Sequence, residues 1–316
     1  MTSRIAYNNP DGNGALGLPY HYEMLADQRR LGPLRRAIRL VARGRRVLES
    51  GAGSGVLSIL AAKAGARAVY AVERDPAMAR FLRQNVEASG YGEIVHVLER
   101  DTRDVSLGDI GGQRVDVTIA EHLSTWQVTE PQTSVMNYVN RHLAEESAVR
   151  IPECASNCVE LVCSQYRFED VVELRTPYFG FSGIRKPKVF SDPTLFRRVD
   201  FGSVNELVND HDVDIVATRD GLVNGLRLTS PLRVFGSLSF RSSDSLMPPV
   251  VVPLEKDLEV KAGDIVNVRF RYRYETSWSQ VECAAKRQEG GAPPGGLVAR
   301  EGRFNAALPV AEVVAG

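Results

Sequence analysis

The chain has no excess of either charge. Its 39 Lys and Arg balance 39 Asp and Glu, which argues against a partner held by phosphate neutralisation, so no nucleic acid is expected. Cysteine is scarce. Cys154, Cys158, Cys163 and Cys283 include no C-x-x-C pair, so neither a metal site nor a dithiol redox motif is expected, and reduced thiols fit a cytoplasmic protein. No charged-then-apolar leader opens the sequence, and no apolar run is long enough to cross a bilayer, so no membrane partner is expected. No internal repeat is evident.

What is present reads as a globular α/β protein. Hydrophobic residues make up 43% and charged residues 25%, in a length sufficient for one large domain or two ordinary ones. Arginines crowd positions 29–46 (Arg29, Arg30, Arg35, Arg36, Arg39, Arg43, Arg45, Arg46). Leu31, Leu34, Ile38 and Val41 form an apolar helical stripe in the same stretch. The cluster therefore reads as a solvated helix face, or as the source of one arginine that meets a ligand carboxylate. A helical pattern over 22–42 is expected to split at Gly32-Pro33.

Strand, glycine turn and helix then follow at 46–50, 51–55 and 56–64. A second strand is expected at 69–72, a helix at 76–89, strands at 94–98 and 115–120, and a helical stripe at 135–143. This alternation predicts a doubly wound parallel sheet over 1–152, Rossmann-like, with a loop at 1–18. After Pro152 the pattern turns to strands at 158–163, 213–217, 234–240, 250–252 and 265–274. A β-rich, barrel-like domain is expected over 153–285. Irregular sequence over 176–200 reads as a projecting arm, and 286–316, with its Gly-Gly-Ala-Pro-Pro-Gly-Gly run, as a flexible tail.

The glycine turn carries the first chemical signal. Gly51, Gly53 and Gly55 give G-x-G-x-G, but Val56 stands where a dinucleotide fingerprint needs the next spacing. Glu49 lies two residues before the first glycine. A carboxylate there repels a pyrophosphate but suits a ligand that carries positive charge, such as a sulfonium methyl donor. Glu73 ends the second strand, where a carboxylate accepts both ribose hydroxyls. Thr102, after the third strand, reads as an adenine-edge contact or as plain loop.

Just past the fourth strand stand Glu121 and Glu130. Two carboxylates at one strand end can grip two edges of a guanidinium, which is planar, always charged and rich in donors. Glu130 before Pro131 also fits a helix N-terminus.

The segment 47–55, followed by 61–66, closely resembles the donor-binding segment of the protein arginine methyltransferase family. His21-Tyr22-Glu23-Met24-Leu25-Ala26-Asp27 resembles that family's N-terminal helix, and Glu121 and Glu130 match its double-glutamate loop. Similarity of a weaker kind continues through 150–152, 179–181, 220–225 and 260–264. The resemblance implies a class I methyltransferase domain followed by a β-barrel-like domain, with an arm that makes a homodimer. It implies S-adenosylmethionine as cofactor. It assigns His21, Met24 and Arg30 to the donor pocket beside Glu49, Gly51, Gly53, Gly55, Glu73 and Thr102. Arg30 would meet the donor's carboxylate, and Glu121 and Glu130 would be catalytic.

Departures lie on the acceptor side. The family's Thr-His-Trp loop is absent, with Ser245-Leu246-Met247-Pro248 in its place, so Asp27 is expected to lack its usual histidine partner. His122-Leu123-Ser124-Thr125-Trp126 replaces a Trp-Met-Gly-Tyr run, and Gln132 stands where a bulky Met is usual. The expectation is therefore an N-methyltransferase acting on free L-arginine or a similar small guanidine, similar to the arginine N-methyltransferases of streptozotocin-type natural-product pathways. Methylation of arginine in a protein is the other acceptor reading. A donor-binding scaffold without turnover and an NAD-dependent oxidoreductase are readings of other classes.

Overall fold

The computed structural model describes residues 18–288. The expected loop over 1–17 and the tail from 289 onward lie outside the described residues.

Two helices come first, α1 (Leu18–Ala26) and α2 (Gln28–Val41). They meet at Asp27, whose extended backbone and carboxylate cap α2 by accepting from the Arg29 and Arg30 amides at 3.0 and 3.3 Å. The split expected at Gly32-Pro33 is not there, since both residues lie inside α2. Proline in the second turn costs one backbone donor, whereas a break at Asp27 lets a side chain replace the amide partners that every helix start leaves open. Leu31, Leu34, Ile38 and Val41 are buried, as their spacing requires.

The parallel sheet is built from β1 (Arg46–Ser50), β2 (Ala68–Glu73), β3 (Val95–Glu99), β4 (Val115–Ala120) and β5 (Ala144–Ile151), in the order β3-β2-β1-β4-β5. Helices α3 (Val56–Lys63), α4 (Pro76–Ala88) and α5 (Gln132–His142) are its crossovers. The strand order reverses at β1 and β4, and a sheet of this kind opens a crevice at the carboxyl ends of those strands. Strand β5 was not expected from the sequence. Glu145, Glu146 and Ser147 are exposed and Arg150 interrupts the apolar residues that follow, so no hydrophobic run marks it.

The chain then enters an antiparallel half. Its central strand is β6 (Cys154–Cys163), which is followed by β7 (Arg167–Phe168), β8 (Val172–Glu173), β9 (Tyr178–Phe179), β10 (Lys188–Val189) and β11 (Thr194–Asp200). The exposed hairpin β7–β8 stands out from the sheet. The arm expected over 176–200 is thus placed differently. The excursion leaves β6 after Cys163 and returns where Lys188 pairs with Cys163, and β11 is a full strand against β6.

The remaining strands are β12 (Val208–Val216), β13 (Gly221–Thr229), β14 (Leu232–Phe235), β15 (Leu238–Phe240), β16 (Val250–Val260), β17 (Ile265–Arg273) and β18 (Glu282–Arg287). The run expected as one strand over 234–240 is a hairpin, β14–β15, because Gly236 takes a left-handed φ of 55°. Residues 286–287, expected in the tail, belong to β18, which pairs with β17.

Trp126, fully buried, joins the two halves. Its ring lies against Phe196, Phe270 and Tyr272, with centroids 4.6, 4.8 and 5.5 Å away. The Trp126 amide donates to Ser230 Oγ at 2.7 Å and its indole N–H to the Cys158 carbonyl at 3.0 Å. Trp126 and Gln127 both adopt positive φ, 55° and 54°, a conformation that bulky residues hold only where surrounding contacts fix it. The loop after β4 is therefore clamped in one shape by the second half of the chain.

Candidate active site

A cavity opens at the carboxyl ends of β1, β2 and β4. Ser50, Gly51, Gly53, Glu73, Thr102, His122 and Glu130 line it from the sheet side, with His21 and Met24 of α1 over them. Gly51 and Gly53 have φ of 67° and 52°, which glycine adopts without strain. Their missing side chains also make room: a Cβ on Gly53 would sit 2.8 Å from His21 Cε1, and one on Gly51 would sit 2.2 Å from His122 Cε1. The turn thus brings backbone close to two imidazoles.

Glu73 braces this turn. Its Oε2 accepts from the Gly53 amide at 2.8 Å and its Oε1 from the Asp75 amide at 2.9 Å. Each oxygen keeps a lone pair for a further donor. Thr102 reaches the cavity floor through its hydroxyl, 2.7 Å from Ser50 Oγ.

Of the site residues expected from the sequence, Arg30, Glu49, Gly55 and Glu121 do not line the cavity. Glu49 is buried and accepts from Ser58 Oγ, tying β1 to the first turn of α3. Burial raises its carboxyl to about 8. Gly55 caps α3 with φ 84°, and a Cβ there would sit 2.2 Å from Leu82 Cδ1, so its bareness serves the packing of α3 on α4.

The two glutamates after β4 are held in different ways. Glu121 forms an ion pair with Arg30 of α2, and both side chains are at most 9% exposed. Arg30 also donates to the Met24 carbonyl at 3.1 Å. Glu130 lines the cavity. Its amide, and that of Thr129, donate to Ser124 Oγ at 3.2 and 3.0 Å. Its carboxyl is set deep although the residue is not fully buried, and burial raises it to about 7, opposed by the charge of Arg74. Among the described residues no ion pair to Glu130 is formed within 4 Å. A buried carboxylate of this kind is matched by a cationic ligand.

Asp27 does have a partner. Its Oδ2 accepts from Ser245 Oγ at 2.6 Å, and Tyr20 donates its hydroxyl to the Ser245 carbonyl at 2.8 Å. A serine from the loop before β16 thus fills the place where a histidine was expected to be missed, and it fastens α1 and α2 to the second half of the chain.

Several lining residues had no site signal in the sequence: Arg74, Asp75, Met78, Arg100 and Arg103. Arg103 forms two hydrogen bonds to Asp101, at 2.9 and 2.8 Å, which hold that carboxyl down at about 2. His122 follows Glu121 directly. The sequence marked it as part of the departing run 122–126, with no role attached, and the structure puts it on the cavity wall.

Residues 25–130 match the TRM5/TYW2 methyltransferase domain model, about a third of the chain. An uncharacterised protein of Methanocaldococcus jannaschii is 28% identical over 254 residues, covering 80% of this chain and 92% of that protein. The arginine N(omega)-methyltransferase of Streptomyces achromogenes subsp. streptozoticus is 26% identical over 275 residues, covering 79% of this chain and 75% of that enzyme. Among solved structures, the Trypanosoma brucei PRMT1 enzyme–prozyme heterotetrameric complex with AdoHcy aligns with a TM-score of 0.69 at 18% identity, over 84% of this chain and 96% of that one. At that identity the structural match shows the fold: a Rossmann-like parallel sheet followed by an antiparallel half-barrel. Arginine N-methyltransferases are among the homologues of this chain.

Proposed function

We propose that the chain is an S-adenosylmethionine-dependent N-methyltransferase that modifies a guanidino nitrogen, and that its acceptor is free L-arginine or a similar small guanidine. The observation that carries this reading is Glu130, a deeply set carboxyl without an ion-pair partner among the described residues, in the same cavity as the glycine turn and Glu73. The homologues carry the methyltransferase assignment, and S-adenosylmethionine is the cofactor of that chemistry. The residues fit it: Gly51 and Gly53 bring backbone to the cavity wall, Glu73 keeps lone pairs for hydroxyls, and the acidic wall tolerates a sulfonium. His21 and Met24 would close over it. It supplies an electrophilic methyl.

The chain's own residues do the rest by placement. Glu130, together with the Glu121 oxygen that Arg30 leaves free, would hold two edges of the guanidinium, so that one terminal nitrogen is presented for in-line displacement. Alignment of this kind is worth roughly 7–11 kcal/mol of barrier. The nitrogen that gains a methyl must shed a proton, and Glu130 would be the carboxylate placed to accept it. Arg30, which the resemblance directs to the donor's carboxylate, here neutralises Glu121.

A small acceptor is supported by the Streptomyces relative, which this chain matches over three quarters of the enzyme's length. With free arginine as acceptor, the reaction would belong to natural-product biosynthesis. A homodimer through the excursion around β7–β8 is part of the same proposal, supported by its exposed Phe168, Val171, Val172 and Leu174. Purified protein incubated with the donor and either L-arginine or an Arg-rich peptide, read by mass spectrometry, tests the acceptor. A methylated amino acid is expected. Methylated peptide with untouched arginine would make the protein-directed reading the correct one. Donor binding without turnover on any guanidine would leave a scaffold.

A further inference from the structure

A line of hydrogen bonds crosses beneath the cavity and touches four elements. Thr102, after β3, lies with its hydroxyl 2.7 Å from Ser50 Oγ at the end of β1. Ser50 Oγ in turn lies 2.8 Å from His122 Nε2, just past β4. The His122 amide then donates to Gln132 Oε1 at 2.9 Å, in the first turn of α5. Ser50, Thr102 and Gln132 are buried, and the His122 ring is set deep with its Cε1 edge over Gly51. The last link matters most. Residue 122 adjoins Glu121 and residue 132 follows Glu130-Pro131, so this bond closes the base of the loop that carries both carboxylates.

We propose that the Thr102–Ser50–His122–Gln132 strap fixes the two glutamates relative to the glycine turn, with His122 as its positioning residue for methyl transfer. The inference rests on the functional reading above and adds to it a residue that touches neither carboxylate in any hydrogen bond of the described residues. Three observations converge on it. His122 is the one side chain in the line that both borders the cavity and is anchored at ring and backbone. Gly51 has to be bare for the ring to enter, since any Cβ would overlap it. The ring is kept neutral down to about 4, first by burial and then by Arg74 and Arg103, against the opposing charge of Asp101. A neutral ring presents one donor and one acceptor nitrogen across the physiological range, so its bond to Ser50 Oγ is not disrupted by protonation there. Alignment is where the strap would act, because displacement of a reacting group by about 1 Å can cost on the order of 100-fold in rate.

The test compares Ser50→Ala, His122→Phe and His122→Gln in the full chain. Donor affinity is measured by calorimetry, and kcat and KM with the best guanidine by mass spectrometry. Ser50→Ala and His122→Phe should lower kcat by about 10- to 100-fold with donor Kd within about threefold, and His122→Gln, whose amide can still reach Ser50, should recover most of kcat. 15N-histidine NMR of the wild-type protein, with and without donor, should show a His122 ring that does not titrate between pH 6 and 8. Unchanged kcat in the first two variants, a parallel loss of donor binding, or a ring that titrates near its ordinary value would each overturn the strap. If His122→Phe fails to fold, Ser50→Ala and the NMR experiment decide. Wild-type protein that binds donor but methylates no guanidine would instead overturn the functional reading, a result visible before any variant is made.

Discussion

Arg30 and Glu121 form a salt bridge with side chains only 6% and 9% exposed, between the second helix and the loop after β4. One of the two carboxylates assigned to the acceptor is therefore already neutralised, and Glu130 carries the charge that a cationic acceptor would find. The pair also joins α2 to the loop after β4.

Breaking that pair from one side strands a charge away from water. Arg30→Met alone, or Glu121→Leu alone, should cost about 3–5 kcal/mol of stability in denaturant unfolding. The double substitution should cost less than either single one, because no buried charge is left over. Single costs below about 1 kcal/mol would mean that solvent screens the pair.

The carboxyl of Glu130, raised to about 7 by burial, must be ionised to hold a cation. The expected kcat/KM for a guanidine therefore climbs with pH and levels off above about 7. Glu130→Gln should remove turnover at every pH while the calorimetric affinity for the donor stays nearly constant. Loss of donor binding in that variant would assign Glu130 to the donor instead.

Glu49 makes stability depend on pH in a definite direction. Its carboxyl is raised by burial from 4.5 to about 8, so between those values the folded protein holds a proton that the unfolded chain has released. Stability of the ligand-free protein should thus be greatest near or below 4.5 on this account, and fall as pH rises toward about 8. Glu130 acts with the same sign. Glu49→Gln should flatten the slope in unfolding curves recorded across that range; an unchanged slope would place its origin elsewhere.

Ser245→Ala removes the donor to Asp27 Oδ2 and loosens the fastening of the lid. The expected cost is about 0.5–1.5 kcal/mol, seen as a weaker donor Kd of several-fold and faster proteolysis within 18–26. Equal donor affinity in the variant and the parent would separate this contact from lid closure.

Much of the fold was legible because its signals are local. The strand, glycine turn and helix of 46–63, and the strand end at Glu73, rest on spacing within a few residues, and the structure has them where spacing put them. The position of Glu121 and Glu130 past the fourth strand was visible for the same reason. Asp27 was harder, since its carboxylate caps α2 within its own neighbourhood but its second partner is 218 residues away. Strand β5 escaped because half of it is polar. The hairpin at 232–240 escaped because one glycine turns an apolar run back on itself.

Composition and local pattern determined the class of the protein: apolar period, turn residues and charged strand ends are set by bonds a few residues long. Which carboxylate is paired and which stands open was decided only in three dimensions. Arg30 lies 91 residues from Glu121, and Gln132 reaches back across the loop to His122. Neither meeting has a period or a spacing to announce it, because each depends on how β1, β4 and the two helices stack.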